Sequence, residues 1–271
     1  MIRSAYIILL LLMLSCIGCE WRLKPNDGRS DDRRVSIERY DRLESQYLML
    51  GDYAALQQMK TAYPMQTRML VEDVLRLGKV SDADINAKFR QFFQDSTLQK
   101  LVSDVQTSFS DMDDLNASLN AAFVRMKEEL PALRIPKVYA QIGSFDQSII
   151  VGANSLGICL DKYLGEDYPF YQEHYPERER RMMVRRMIVP DCLSFYLLSV
   201  YPMKRPHEEM TRQEIDMHMG RIQWVVNQLV GTTVFDNDRV ATIGKFMKKH
   251  KGVSYDYLFR LNDHTIIQAT S

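Results

Sequence analysis

From Val138 to Leu160 this chain reads as short strands, beginning with alternation over Val138 to Ile142, whereas on either side its apolar residues recur every three or four positions. This switch of period constrains the fold more than any other feature, because a period of two belongs to a pleated strand and a period of 3.6 to a helix. Val138, Ala140 and Ile142 alternate with Tyr139 and Gln141, and Gly143-Ser144 then turns the chain. Ile149 to Val151 and Leu156 to Leu160 read as two further strands around Gly152-Ala153-Asn154. The expected class is α+β: mostly helical, with a small mid-chain sheet or hairpin packed against a helix.

The flanking helices can be read from their spacing and punctuation. Ile37, Tyr40, Leu43, Tyr47 and Leu50 share one helical face, and Ala55, Met59 and Tyr63 continue the pattern to Pro64. Ser81-Asp82-Ala83-Asp84 has the spacing of a capping box ahead of Ile85, Phe89, Phe92 and Phe93. Leu98, Leu101, Val102 and Val105 fit a helical turn or two or a buried strand. Leu115 to Leu130 form a long amphipathic helix stopped by Pro131, with Asp111 to Asp114 at its start, where the helix dipole favours acids. Helical period returns near Arg178, and Ile188 to Val200 form a strongly apolar helix with Pro190 tolerable in its first turn. Thr211-Arg212-Gln213-Glu214 is a capping box opening a further helix, and Asp236 or Asn237 caps a last one running to about His250.

The N-terminus carries the signs of export. Arg3 precedes an unbroken apolar run from Ala5 to Leu14, about half of the ~20 residues needed to span a bilayer. Ile17-Gly18-Cys19 then fits the last positions of a lipobox, which makes Cys19 the expected lipid-bearing residue; Cys16 is the alternative register. An ordinary signal peptide with incidental cysteines is the plainer reading. The expected organisation is a signal peptide over residues 1–18, the lipidated cysteine with a polar tether over 19–34, and one domain over 35–271. Cleavage removes one basic residue, Arg3, and leaves basic and acidic side chains within one of balance, which gives no case for binding nucleic acid. Cys159 and Cys192 occupy apolar positions, are too few for a disulfide framework and are expected to be free thiols.

Motifs that carry chemistry are sparse. No two of His174, His207, His218, His250 and His264 are four residues apart, so no helix can present two imidazoles on one face to a metal. His207-Glu208-Glu209-Met210-Thr211 begins like a zinc helix but ends in Thr, just at a helix cap. Gly152 to Gly157 lacks the lysine and following helix of a phosphate loop, and reads as a hairpin turn. Asp161, Glu166, Asp167 and Asp191 are the carboxylates that acid–base chemistry would use. The arginines of the Arg178 to Arg186 stretch read as a solvated helix face, or an anion site. No metal and no cofactor is expected.

The block Val151-Gly-Ala-Asn-Ser-Leu-Gly-Ile-Cys-Leu-Asp161-Lys-Tyr-Leu-Gly165, followed by Asp167-Tyr-Pro-Phe-Tyr171 and Arg186-Met-Ile-Val-Pro-Asp-Cys-Leu193, resembles the gliding-motility lipoprotein GldB family of Bacteroidetes. That family is similar in layout to zinc-dependent peptidase-like domains, in which a strand hairpin precedes a helix bearing His-Glu-x-x-His. The resemblance implies that Pro190-Asp191-Cys192-Leu193-Ser194 is the counterpart of that motif, with Pro and Ser where imidazoles would stand. It therefore implies a peptidase-like scaffold without its metal centre and without catalytic residues. Such a protein would be held at the outer membrane facing the periplasm and would bind an envelope protein through the old substrate groove or its rim. Asn154, Asp161, Tyr163 and Asp191 are the groove or partner-binding candidates. The alternative is an active envelope hydrolase built from Asp161, Asp191 and nearby histidines.

Overall fold

The structure is a computed structural model that describes residues 35–203, 205–261 and 263–270. The expected signal peptide, tether, Cys16 and Cys19 all lie outside the described residues.

The mid-chain sheet has the order β1-β2-β4-β3, built from β1 (Ile37–Glu38), β2 (Lys137–Gln141), β3 (Ile149–Val151) and β4 (Ser155–Cys159). β1, β2 and β4 run parallel, with Ile37 opposite Val138 and Val138 opposite Leu156. β3 closes the far edge antiparallel to β4, Ile150 opposite Gly157, as a hairpin around Gly152-Ala153-Asn154. The three strands expected from alternation are present, and a fourth joins them. Ile37 was expected on a helix, but it begins the chain's short edge strand, its N–H donating to Asn116 Oδ1 at 2.9 Å.

Helices cover the sheet. α1 (Tyr40–Leu50) and α2 (Tyr53–Ala62) form a hairpin, and α3 (Pro64–Arg68) runs on into a π-helical turn at Met69–Val74. α4 (Ile85–Phe92), α5 (Ser96–Ser108) and α6 (Asp113–Glu129) complete the N-terminal half. The Leu98 to Val105 stretch is helix, started by Asp95, whose carboxylate accepts from Thr97 and Leu98 N–H. Ser81 to Asp84 is no capping box: Asp84 makes no side-chain cap, and Asp82 instead accepts from Lys79 N–H. Asp114 does sit at a helix start, but it is paired with Arg185 rather than merely solvated.

After the sheet come α7 (Pro169–His174), α8 (Glu177–Arg180), α9 (Ile188–Val200), α10 (Arg212–Val230) and α11 (Asp238–Lys249). α9 starts and stops where the apolar run does. α10 opens with the expected capping box, Thr211 and Glu214 each bonded to the other's backbone N–H. The helical face expected over Arg178 to Arg186 shrinks to the single turn of α8, which buries nothing. α11 is not the last helix: α12 (Tyr255–Arg260), capped by Ser254, and α13 (Asp263–Thr270) follow and bury Leu258, Phe259 and Ile266. α9 packs on β3, β4, α6 and α10, and so forms the centre of the C-terminal layer.

Candidate functional site

The chain leaves β4 through a short 3-10 turn, Leu160–Lys162, and the side chains of the site are arranged around it. Asp161 is fully buried, and its two carboxylate oxygens accept from Gly143 N–H and Phe145 N–H, each at 2.6 Å. These donors belong to the turn after β2, where Ser144 and Phe145 adopt φ of 54° and 69°, a left-handed conformation costly for a side chain. Asp161 is thus the anion that fills a nest of backbone N–H groups. Burial raises its carboxyl above the ordinary range, opposed by those same N–H donors. Tyr171 locks the arrangement from outside, its hydroxyl donating to Asp161 O and accepting from Leu164 N–H. Phe145 stacks on Phe170 with ring centres 4.0 Å apart, and Lys162 Nζ donates to Phe145 O at 3.2 Å.

Tyr163 and Asp191, the second pair of expected site residues, meet. The Tyr163 hydroxyl donates to Asp191 Oδ2 at 2.8 Å, joining the hairpin exit to the first turn of α9. Burial pushes the Asp191 carboxyl up to about 6, against the lowering effect of the Tyr163 hydroxyl. Burial also raises the Tyr163 hydroxyl well above its usual value, with the Asp191 charge adding to the effect.

Among the described residues, the carboxylates and histidines of the hydrolase reading are not brought together. Asp161 is engaged with the Gly143–Phe145 turn and Asp191 with Tyr163. His174 stacks on Phe170, His250 stacks on Phe246, and His218 lies in α10 at a separate cavity. Glu166 and Asp167 are exposed. A catalytic zinc ion does not fit the donors present. Pro190 and Ser194 are buried in the first turns of α9, and among the described residues no three His, Cys, Asp or Glu side chains converge to hold a metal. Three arginines of the stretch are engaged: Arg185 is paired with Asp114, Arg181 with Glu177, and Arg180 donates to Glu166 O, while Arg178 and Arg186 are exposed.

Two adjoining cavities lie where the hairpin tip meets the end of α9. One, of about 500 Å³, is lined by Gly152 to Ser155, Arg134, Tyr196 and Ser199. The other, of about 570 Å³, is lined by Tyr201, Arg205, His218, Arg221, Arg260 and Asp263 among others. Both have Ala132, Leu133 and Val200 in their lining, so these residues mark where the two parts of the cleft adjoin. Three of its arginines are matched by acids: Arg205 with Glu214, Arg221 with Asp263 and Arg260 with Asp256. Asn154 is the one expected groove residue that lines this cleft. Asp161, Tyr163 and Asp191 do not line it: the first two follow the opposite end of β4 and the third lies in the first turn of α9.

One buried feature escaped the sequence pattern. On the sheet face under α1, Tyr139, Gln141, Cys159 and Asp161 meet Tyr40, Asp41 and Glu44, all buried. Glu44 Oε2 accepts from Ile142 N–H at 2.8 Å, while its other oxygen, the Tyr139 hydroxyl and the Gln141 amide oxygen have no partner among the described residues. Burial raises the Glu44 carboxyl well above its usual range. The signal was present in the spacing, since Glu44 sits four residues after the buried Tyr40 and four before the buried Leu48.

No described helix is long and apolar enough to cross a membrane. Neither a curated protein nor a solved structure matches the chain. The profile of one family, described as Gliding motility protein GldB, matches residues 24–236. That match takes in the sheet, the Asp161 turn, the Tyr163–Asp191 pair and the whole of α9 and α10, and the chain belongs to the GldB family of gliding motility proteins.

Proposed function

We propose that this protein is a lipid-anchored component of the bacterial envelope, held through Cys19 at the periplasmic face of the outer membrane, that acts by binding another envelope protein. In this reading its peptidase-like scaffold is catalytically inactive and serves a motility or secretion-type assembly. Membership of the GldB family supports the motility context. The observation that carries the binding mode is the joined cleft at the hairpin tip. Its lining combines apolar side chains such as Leu133 and Val200 with the ion-paired Arg205, Arg221 and Arg260, a surface suited to holding a protein segment.

The test is photo-crosslinking in living cells. A photoreactive residue at Asn154 or Ser199, facing the cleft, is expected to give the same envelope-protein adduct, and one at the exposed Met65 none. Equal adducts from all three positions would reject the cleft as the binding site.

A further inference from the structure

The turn between α1 and α2 exposes three large apolar side chains: Met49 at 39%, Leu50 at 79% and Tyr53 at 66%. The helical spacing that expected Leu50 inward fails here because Gly51 takes a left-handed backbone, φ 69°, and ends α1. Asp52 then starts α2, and its Oδ1 is turned back to accept from Ala54 and Ala55 N–H. Tyr53 leans edge-on against Tyr47, and the Arg90 guanidinium lies against Gly51. The tip therefore carries Met49 and Leu50 at its apex, with the exposed Asp52, a tyrosine and an arginine at its rim.

We propose that the Met49–Tyr53 turn dips into the bilayer surface as a second membrane contact, with Met49 and Leu50 among the acyl chains and Tyr53 and Arg90 at the headgroups. The proposal rests on Cys19 carrying the lipid. Reach and size choose a lipid surface over a protein. Even fully extended, the stretch from Cys19 to Val35 spans at most ~58 Å, so the domain stays near the membrane that holds the anchor. The turn lies one α1 length, about 16 Å, beyond the strand where the chain enters the domain, well inside that reach. A stable protein interface needs about 800 Å² from each partner, far more than three side chains on one turn supply. Shallow insertion needs only a few apolar side chains beside an existing anchor. Tyrosine favours the interface because its ring is apolar and its hydroxyl is wet, and an arginine can keep its charge at headgroup level while its stem packs on apolar surface.

The experiment uses the full lipidated chain in vesicles of phosphatidylethanolamine and phosphatidylglycerol. An environment-sensitive fluorophore is attached under native conditions through Leu50→Cys, where Cys159 and Cys192 are shielded by burial. The expected result is a blue-shifted emission and at least a twofold quenching by brominated acyl chains, with neither at a Met65→Cys control. Unchanged emission in protein that floats with the vesicles overturns the proposal. So does a blue shift without quenching, which would place the turn against a second protein copy. Loss of flotation in the wild-type chain would reject the anchor itself and the proposal with it, and a Cys19→Ala chain run in parallel shows what that loss looks like.

Discussion

The Tyr163 hydroxyl and the Asp191 carboxylate, 2.8 Å apart, tie the end of the hairpin to the first turn of α9. Here the acid is occupied by a phenol whose own ionisation is suppressed by burial. The contact joins the chain after β4 to the start of α9, the helix whose far end carries Tyr196, Ser199 and Val200 at the cleft.

Asp191 should make stability depend on pH. Its carboxyl titrates near 6 in the fold, above its ordinary value, so the stabilisation of the protonated form is complete below about pH 4 and is lost as pH rises through about 6. Asp191→Asn, which keeps an acceptor for Tyr163 and carries no charge, is expected to melt a few degrees above the wild type at pH 7.5, consistent with about 1–2 kcal/mol after allowing for solvent screening. The difference should close near pH 4. Parallel melting curves for the two proteins from pH 4 to 8 would rule out this role for Asp191.

Asp161 is expected to be the costlier residue to lose. Asp161→Ala leaves the Gly143 and Phe145 N–H groups buried without an acceptor and should destabilise the domain by about 2–4 kcal/mol in urea unfolding. Ser144→Gly, at a φ of 54°, should instead stabilise by about 0.5–1 kcal/mol by relieving the left-handed strain. Two neutral variants would mean that the turn is held by its aromatic packing alone.

The hairpin, α9 and the α10 capping box were legible in the sequence. They follow from alternation, an apolar run bounded by polar residues, and a cap, all of which are local signals. The features that escaped were set by tertiary context. Ile37–Glu38 becomes a strand only because β2, distant in sequence, offers it a parallel edge. Glu44 is buried although its side chain is polar and ionisable, and a pattern built from apolar residues alone passes over it. The cleft joins Asn154 to Val200 and Arg221, and no spacing in the sequence relates them. The most distinctive block of the family resemblance, Leu160 to Gly165, proves to brace the site rather than line it.

Cys159 and Cys192 are free and fully buried, and burial raises both thiols. Native protein is therefore expected to resist alkylation, and denatured protein without reductant to take up two labels on the domain. A mass two protons lower with no label would reveal a disulfide.

The domain is expected to fold without zinc. A catalytic site needs three protein ligands and an open position, and among the described residues no three His, Cys, Asp or Glu side chains converge. Protein purified without chelators should carry sub-stoichiometric zinc and melt at the same temperature with and without EDTA. Stoichiometric zinc together with EDTA-sensitive melting would contradict this.

The most direct test of partner binding is to block the cleft where its two halves join. Ala132 is exposed there and lines both cavities, so Ala132→Trp should fill the junction without disturbing the core. The measurement is the yield of the crosslink from a photoreactive residue at Asn154, with and without Ala132→Trp, in cells producing equal amounts of folded protein. Binding in the cleft predicts at least a tenfold loss of the adduct at an unchanged melting temperature. An undiminished adduct would contradict it and place the partner elsewhere on the surface.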